Sequence, residues 1–356
     1  MYETMELCVS CKACQRECPM SVDMAKMKSE FLSHYYKKFS MSIKDRVISN
    51  MPKLIWLLKI ISPIFNKIKN IPLISDVIRK FGYATEREMP TVQNQFPLKE
   101  IYKSQIKSEN KVILFADTFN INFEIQNLMY SIKVLNKFGF EVIIPSFDND
   151  KLKRPLCCGR TYISYGQLDK AEKELNRFVN YILVNGYYEM PIVGIEPSCL
   201  LTFSDEFKTL KNIKNRDKLK NKFYLLEEFV LEQINEGNNV SLNKFDQDVL
   251  IHGHCHQKSQ DRIKGLTGLL SKLNINNKMI DSSCCGMAGS FGYNSKNYDV
   301  SKKMANLSLI PAVNESTDKD FIVANGTSCR HQISDLSEKK AKHISELLFK
   351  IFETVN

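Results

Sequence analysis

An internal repeat limits the fold more than any other feature. Ile192-Val193-Gly194-Ile195-Glu196-Pro197-Ser198-Cys199 aligns without a gap on Ile322-Val323-Ala324-Asn325-Gly326-Thr327-Ser328-Cys329. Upstream of each stands a Cys-Cys-Gly (CCG) triplet, Cys157-Cys158-Gly159 and Cys284-Cys285-Gly286, with 41 residues from Cys158 to Cys199 and 44 from Cys285 to Cys329. The earlier parts of the copies also correspond. Residues 112–116 and 249–253 read as buried strands, 123–138 (closed by Gly139) and 261–273 as helices, and 140–145 and 278–280 as second strands. Strand alternating with helix at this pitch implies parallel sheets, and two copies imply two α/β units joined through a helix around 223–234.

In each copy the cysteines follow strand ends, the edge of a parallel sheet where ligands bind, and the adjacent glycine permits close backbone approach. The second copy adds Cys255 within His252-Gly253-His254-Cys255-His256, bringing Cys255, Cys284, Cys285 and Cys329 and several imidazoles to one mouth. A site for an iron-sulfur cluster or zinc is expected there. The first copy offers Asp117-Thr118 in place of the leading cysteine, leaving Cys157, Cys158 and Cys199 with a candidate carboxylate. A weaker centre, an altered one or none is compatible with that set, and adjacent buried cysteines also serve as small hydrophobes.

The N-terminus carries a different signal. Cys8, Cys11, Cys14 and Cys18, followed by Pro19, form a C-x2-C-x2-C-x3-C-P run, the spacing that wraps three thiolates around one face of a [4Fe-4S] cluster while the fourth projects away. Structural zinc more often takes two cysteine pairs separated by a dozen or more residues. Two fates for Cys18 remain open: closing the cluster locally, or reaching another cluster, as the fourth cysteine does in two-cluster ferredoxins. Beyond Pro19 a helix is expected, with Asp23 near its start, and further amphipathic helix interrupted at Pro52, Pro63, Pro72 and Pro90. Together these readings predict an α+β multidomain chain: an all-helical ferredoxin-like domain (1–105), then two pseudo-repeated α/β cysteine-rich (CCG) domains with parallel sheets (106–240 and 241–356). Its 356 residues exceed what one core usually organises.

Eleven cysteines in tight groups, with no recognisable signal peptide, point to metal in the cytoplasm rather than to a disulfide scaffold. The longest apolar run, 54–65, is shorter than a spanning helix and is broken by Lys59 and Pro63. Charge is concentrated: between 34 and 82 ten Lys and Arg face two Asp, a local net charge of +8. No zinc finger, helix-turn-helix or RNP signature accompanies it, so nucleic acid is not an expected partner. With aliphatic residues around Trp56 alternating with lysines, the segment reads either as a helix on an anionic membrane surface or as a solvated face packed on the rest of the protein. Gly286-x-x-Gly289-x-x-Gly292 lacks the dinucleotide turn and reads as a loop around a metal centre. His331 and His343 read as a loop and a surface-helix residue, and no catalytic residue is assigned.

Cys8 to Pro19, continuing into Val22-Asp23-Met24-Ala25-Lys26, and then the two CCG repeats resemble the C-terminal iron-sulfur half of the large FAD-linked 2-hydroxyacid dehydrogenases, the D-lactate, glycolate and 2-hydroxyglutarate oxidising types. The repeats alone are similar to the cysteine-rich domain shared by the B subunit of heterodisulfide reductase, the C subunit of anaerobic glycerol-3-phosphate dehydrogenase and lactate-utilisation proteins. The resemblance implies an iron-sulfur electron-transfer subunit with FAD on a partner dehydrogenase chain and an acceptor such as quinone. It also implies a cytoplasmic location, peripheral on the membrane's inner face if the basic segment binds lipid. In the dehydrogenases a further cysteine motif lies upstream, in sequence that would fall before Met1. In heterodisulfide reductase each repeat ends in C-x-x-C and five cysteines hold a non-cubane cluster; Thr202 and Gln332 occupy that last position here. The alternative function, a heterodisulfide-reductase-like thiol-disulfide oxidoreductase, loses support from that departure, and a zinc-stabilised scaffold is the third reading.

Overall fold

A computed structural model describes residues 1–69, 71–93, 101, 105–145, 154–238 and 240–352, with backbone alone at 56–60 and 72–73. It is mixed helix and sheet, with two small parallel sheets. The described part ahead of the first strand holds helices Tyr2–Glu6, Ala13–Glu17, Met24–Lys38, Ile43–Ser49, Met51–Ile68 and Pro72–Lys80, but it is not all helical as expected: irregular chain follows, and Tyr83 bridges antiparallel to Asn294. Asp23 starts the Met24–Lys38 helix as read from sequence, its carboxylate accepting from Ala25 N at 3.0 Å and Lys26 N at 3.1 Å. That helix buries Ala25, Ser29 and Leu32, one face at helical spacing. Gly166 (φ +66°) lies under it, and a Cβ there would stand 2.5 Å from Leu32 Cβ, so only glycine allows the approach.

Pro63 does not interrupt its helix as the sequence suggested. It sits inside Met51–Ile68 at an exposed position, where it removes one backbone N–H without ending the helix. Pro52 and Pro72 stand in the first turn of their helices, where the missing N–H would be unpaired anyway.

The first sheet runs in the order β2-β1-β3-β4, all parallel: β1 (Lys111–Phe115), β2 (Glu141–Ile143), β3 (Ile192–Gly194) and β4 (Phe223–Leu225). The second runs β6-β5-β7: β5 (Val249–His252), β6 (Asn277–Met279) and β7 (Phe321–Ala324). Where β4 pairs with β3, the second copy has a single parallel bridge, Val323 to Lys342. The segment read as one joining helix is therefore strand β4 followed by helix Leu226–Asn235, whose counterpart after the bridge is Ile344–Phe352.

These two closing helices cross between the copies. Ile344–Phe352 lies on helix Ile125–Lys137 of the first copy, with Phe352 edge-on to Phe138 and Phe349 stacked on Tyr130. Leu226–Asn235 in turn meets helix Ile263–Lys272 of the second, where the Glu228 carboxylate accepts from Arg262. One buried apolar cluster accordingly runs from Val112 and Leu128 through Val249 and Leu269 to Leu348 and Phe352. At about 1.5–3 kcal/mol for each large apolar side chain removed from water, this shared core couples the two copies strongly.

Candidate metal centre

The second copy gathers its ligands at the C-terminal edge of its sheet, beside the β5/β7 junction where the chain's path across the sheet reverses. β5 ends on His252, and His254 then caps helix Cys255–Ser259, its Nδ1 accepting from His256 N at 3.2 Å. The loop after β6 delivers Cys284 and Cys285. Gly286 (φ +83°) closes it: a Cβ there would lie 2.4 Å from the Ser301 carbonyl oxygen. Gly159 (φ +77°) does the same for the first copy against the Ala171 backbone. After β7, Gly326 opens the helix Thr327–Leu336 that carries Cys329.

The sulfurs form one connected group. Cys284 neighbours Cys255, Cys285 and Cys11, and Cys285 neighbours Cys329. Cys284, Cys285 and Cys329 are buried, at 4%, 4% and 2% exposure. A ring nitrogen of His252 and the sulfurs of Cys285 and Cys329 lie within 4.8 Å of one another. His252 Nδ1 meets Ser282 Oγ at 2.9 Å, while Nε2 is buried without a hydrogen-bond partner. Their proximity divides the thiols: Cys285, beside Cys284 and Cys329, is held well below the ordinary thiol value, and Cys284 and Cys329 are pushed up by their contacts and burial. Buried sulfurs this close cannot all ionise without a cation. An orphaned imidazole nitrogen facing a set of soft thiols is the donor set for zinc or an iron-sulfur centre, and these residues fit one.

The N-terminal cysteine run is wedged against this site. Cys8, Cys11, Cys14 and Cys18 are all half-buried, on a loop tightened by left-handed Ser10 (φ 54°) and Lys12 (φ 61°). Lys12 opens helix Ala13–Glu17, and Pro19 follows its C-cap Cys18. Cys14 Sγ accepts from Met24 N at 3.3 Å, and Lys28 Nζ donates to the Cys8 carbonyl at 2.6 Å. Cys11 adjoins Cys284, and that neighbour lowers its pKa. His256 Nε2 lies 3.1 Å from the Ser10 carbonyl and 3.1 Å from Arg160 Nη2; burial and that guanidinium keep the ring neutral.

Lys12 fastens the other side of the loop. Its ammonium, 1% exposed, meets Asp23 at 2.9 Å, Asp205 at 2.6 Å and Glu206 at 3.0 Å. Burial alone would favour the neutral amine, but the Glu206 and Asp205 carboxylates outweigh it and raise its pKa. Arg160, two residues after Cys158, pairs with the same Glu206. The cysteine loop thus lies between the two copies, held by carboxylates of the first and by a thiol and an imidazole of the second.

The first copy is organised differently. Cys157, Cys158 and Cys199 are buried, with Cys158 beside each of the other two, and Cys158 and Cys199 belong to an apolar cluster with Phe178 and Phe203. Despite the Cys158 hydrogen bond, burial and the Asp117 and Glu196 carboxylates push Cys199 up to about 12. Asp117 stands at the position of His254, capping helix Thr118–Asn122: it accepts from Phe119 N at 2.9 Å, Asn120 N at 3.0 Å and Asn120 Nδ2 at 2.7 Å. Thr118 takes the place of Cys255. The carboxylate read from sequence as a candidate ligand is engaged in capping, with burial and Glu196 raising its pKa to about 7.

Thr202 and Gln332, at the positions of the missing cysteines, are fully buried and engaged: Thr202 Oγ1 donates to the Ser198 carbonyl at 2.9 Å and Gln332 Nε2 to the Ser301 carbonyl at 3.1 Å. The glycine loop 286–292 is clamped by Arg87, whose Nε donates to the Gly292 carbonyl at 2.6 Å and whose Nη1 pairs with Asp335 at 2.8 Å. Two histidine readings need correction. His331 is helical, half-buried and 3.2 Å from the Tyr293 hydroxyl. His343 is not on a surface helix: it precedes Ile344–Phe352, is 1% exposed, and its Nε2 donates to the Ile195 carbonyl at 2.8 Å. Sequence reasoning missed Lys12, Arg160, Asp205 and Glu206. The only local hint was a charged residue between two cluster cysteines.

Residues 249–334 match the CCG cysteine-rich domain. Over nearly its whole length the chain is similar to D-2-hydroxyglutarate dehydrogenase of Escherichia coli (strain K12), 20% identical over 370 residues, covering 99% of this chain and 34% of the relative. The D-2-hydroxyglutarate dehydrogenase of Pantoea ananatis is 22% identical over 370 residues, with 98% and 34% covered. The C subunit of anaerobic glycerol-3-phosphate dehydrogenase from Escherichia coli (strain K12) is 26% identical over 253 residues, 70% of this chain and 61% of the relative. The chain spans about a third of the length of the 2-hydroxyglutarate dehydrogenases it matches.

Proposed function

We propose that the chain is the iron-sulfur electron-transfer subunit of a flavin-dependent 2-hydroxyacid dehydrogenase, acting between a flavin on another polypeptide or segment and an acceptor such as quinone. The observation that carries this reading is the docking of the N-terminal run on the second copy, where the Ser10 carbonyl meets His256 Nε2 at 3.1 Å and Cys11 adjoins Cys284. In this reading residues 1–105 form the cluster-binding domain, and 106–240 and 241–356 the two cysteine-rich domains. Cys8, Cys11 and Cys14 would hold a [4Fe-4S] cluster, and Cys255, Cys284, Cys285, Cys329 and His252 a second centre. Such centres supply one-electron transfer when bound. The chain's own part is to hold them adjacent. Lys12 keeps the loop docked, Met24 N–H donates to Cys14, and Lys258, whose Nζ donates to the Ser283 carbonyl at 2.9 Å, lies near Cys255, Cys284 and Cys329. Positive charge and N–H donors beside thiolates favour the charged, ligating form.

Metal content tests the proposal. Anaerobic, iron-replete chain is expected to carry about four irons from the N-terminal run, with iron or zinc in addition at the second copy. Cys11→Ala is expected to remove the N-terminal iron signal while most of the second-copy metal stays. Zinc as the only metal in such material would refute electron transfer.

Cys18 is assigned to a cluster completed by another polypeptide. Its sulfur is turned to the backbone N–H groups of Val22, Met20 and Ser21, which lower its pKa, and Arg16, Glu17, Pro19 and Met20 around it are exposed. Cys18→Ala is expected to leave the isolated chain's cluster signal intact and to delete one EPR signal that appears only on co-expression with the flavin partner. Loss of the isolated chain's own cluster would mean local closure instead.

A further inference from the structure

Away from the cysteines, a surface cavity of about 390 Å³ opens between the C-terminal turn of helix Met24–Lys38, helix Ile43–Ser49 and the start of helix Leu168–Val184. Its volume is within the range of ~300–1,000 Å³ typical of small-molecule sites. Lys37, Lys38, Arg46 and Lys170 line it, and among the described residues no lining side chain is acidic. Lys53 and Lys170 both approach the Tyr162 ring, each 5.7 Å from its centroid. Partial burial, with Lys53, Arg46 and Lys173 nearby, lowers the Lys170 pKa, as expected of cations gathered without enough counter-charge. Gln167 at the cavity wall donates from Nε2 to Ser49 Oγ at 2.5 Å, while its Oε1 is buried without a partner.

Apolar side chains adjoin the cations. Phe39, which lines the cavity, is 55% exposed, and Ile43 and Val47, one turn apart on the same helix face, are 74% and 45% exposed. A free anion would need the cations alone. Exposed apolar groups beside a cationic cavity match a ligand whose phosphate is joined to hydrocarbon. The surrounding segment, with ten basic residues against two acidic between 34 and 82, complements an anionic bilayer. The aliphatic stretch around Trp56 is not the basis of this match: the side chains of 56–60 fall outside the described residues, and Ile55 is 2% exposed.

We propose that this cavity binds the phosphate headgroup of an anionic phospholipid, with Phe39, Ile43 and Val47 entering the acyl boundary, so that the chain docks peripherally on a membrane. The proposal goes beyond the electron-transfer reading and does not rest on it. The test is sedimentation of the anaerobically purified chain, its iron content monitored, with phosphatidylglycerol/phosphatidylcholine vesicles and with phosphatidylcholine alone. Binding is expected only to the anionic vesicles and to weaken with salt. Lys38→Glu, Arg46→Glu and Lys170→Glu, combined in one variant, are expected to lower the affinity at least tenfold. Lys278→Glu with Lys302→Glu and Lys303→Glu, an equal charge change at exposed positions of the second copy, is expected to alter it less than threefold. Phe39→Ser with Ile43→Ser is expected to weaken vesicle binding while the iron content is unchanged. Equal losses in the two charge variants, or no binding to anionic vesicles, would overturn the proposal. So would calorimetric binding of inorganic phosphate in the cavity without vesicle binding, which would assign it to a soluble anion.

Discussion

Lys12→Ala is expected to lower the unfolding free energy by about 3–5 kcal/mol, the range for removing one partner of a buried ion pair. The ammonium is buried among Asp23, Asp205 and Glu206, and its loss leaves three carboxylates together with, among the described residues, Lys26 and Arg160 as counter-charges. Lys12→Met, which keeps the stem and deletes the charge, should fall within about 1 kcal/mol of the alanine variant, since packing is the smaller part of the effect. Anaerobic denaturant titration measures both, and a loss below about 1 kcal/mol in each would exclude Lys12 as the fastener. The same pairs fix a pH response. Burial raises the Asp205 carboxyl, but the Lys12 ammonium beside it prevails and holds its pKa below the usual carboxylate value. Stability from Asp205 is therefore present above about pH 4 and lost as pH falls through its folded value. The raised Lys12 pKa contributes stability that is present below about pH 10 and lost as pH rises through the folded value. Lys12→Met should flatten both limbs of the profile.

The second large effect is an asymmetry between the copies. Cys285→Ser is expected to abolish metal binding at the second copy, and His252→Ala to weaken it, because Cys285 is central to the sulfur group and His252 supplies the unpartnered nitrogen. Cys158→Ser is expected to leave the metal content unchanged and to lower stability by about 1–3 kcal/mol, since it places a hydroxyl among apolar residues. The contrast follows from two positions at the sheet edge: where the second copy has His252 and Cys255, the first has Phe115 and Thr118. Metal analysis per chain distinguishes the outcomes, and equal metal loss in Cys158→Ser and Cys285→Ser would mean that both copies bind metal.

What the chain's sequence determined by itself is whatever short-range pattern encodes. Strands β1, β2 and β5 announce themselves as apolar runs, Asp23 as a cap, and the second CCG triplet as cysteines placed beyond a strand end, because strand burial, capping and turn chemistry depend on residues a few positions apart. The spacing of Cys8, Cys11, Cys14 and Cys18 likewise expresses one loop's geometry. Only the tertiary structure decided which groups meet across the chain. Lys12 reaches Asp205 across 193 positions, Ser10 faces His256 across 246, and each copy's closing helix packs on the other. It also decided that Asp117 caps a helix and that His252 and Cys11 adjoin the second-copy thiols. Those pairings have no local signature: a buried cation or an orphaned imidazole is set by which surfaces the shared core brings together, and that core is the sum of many weak, non-local burials.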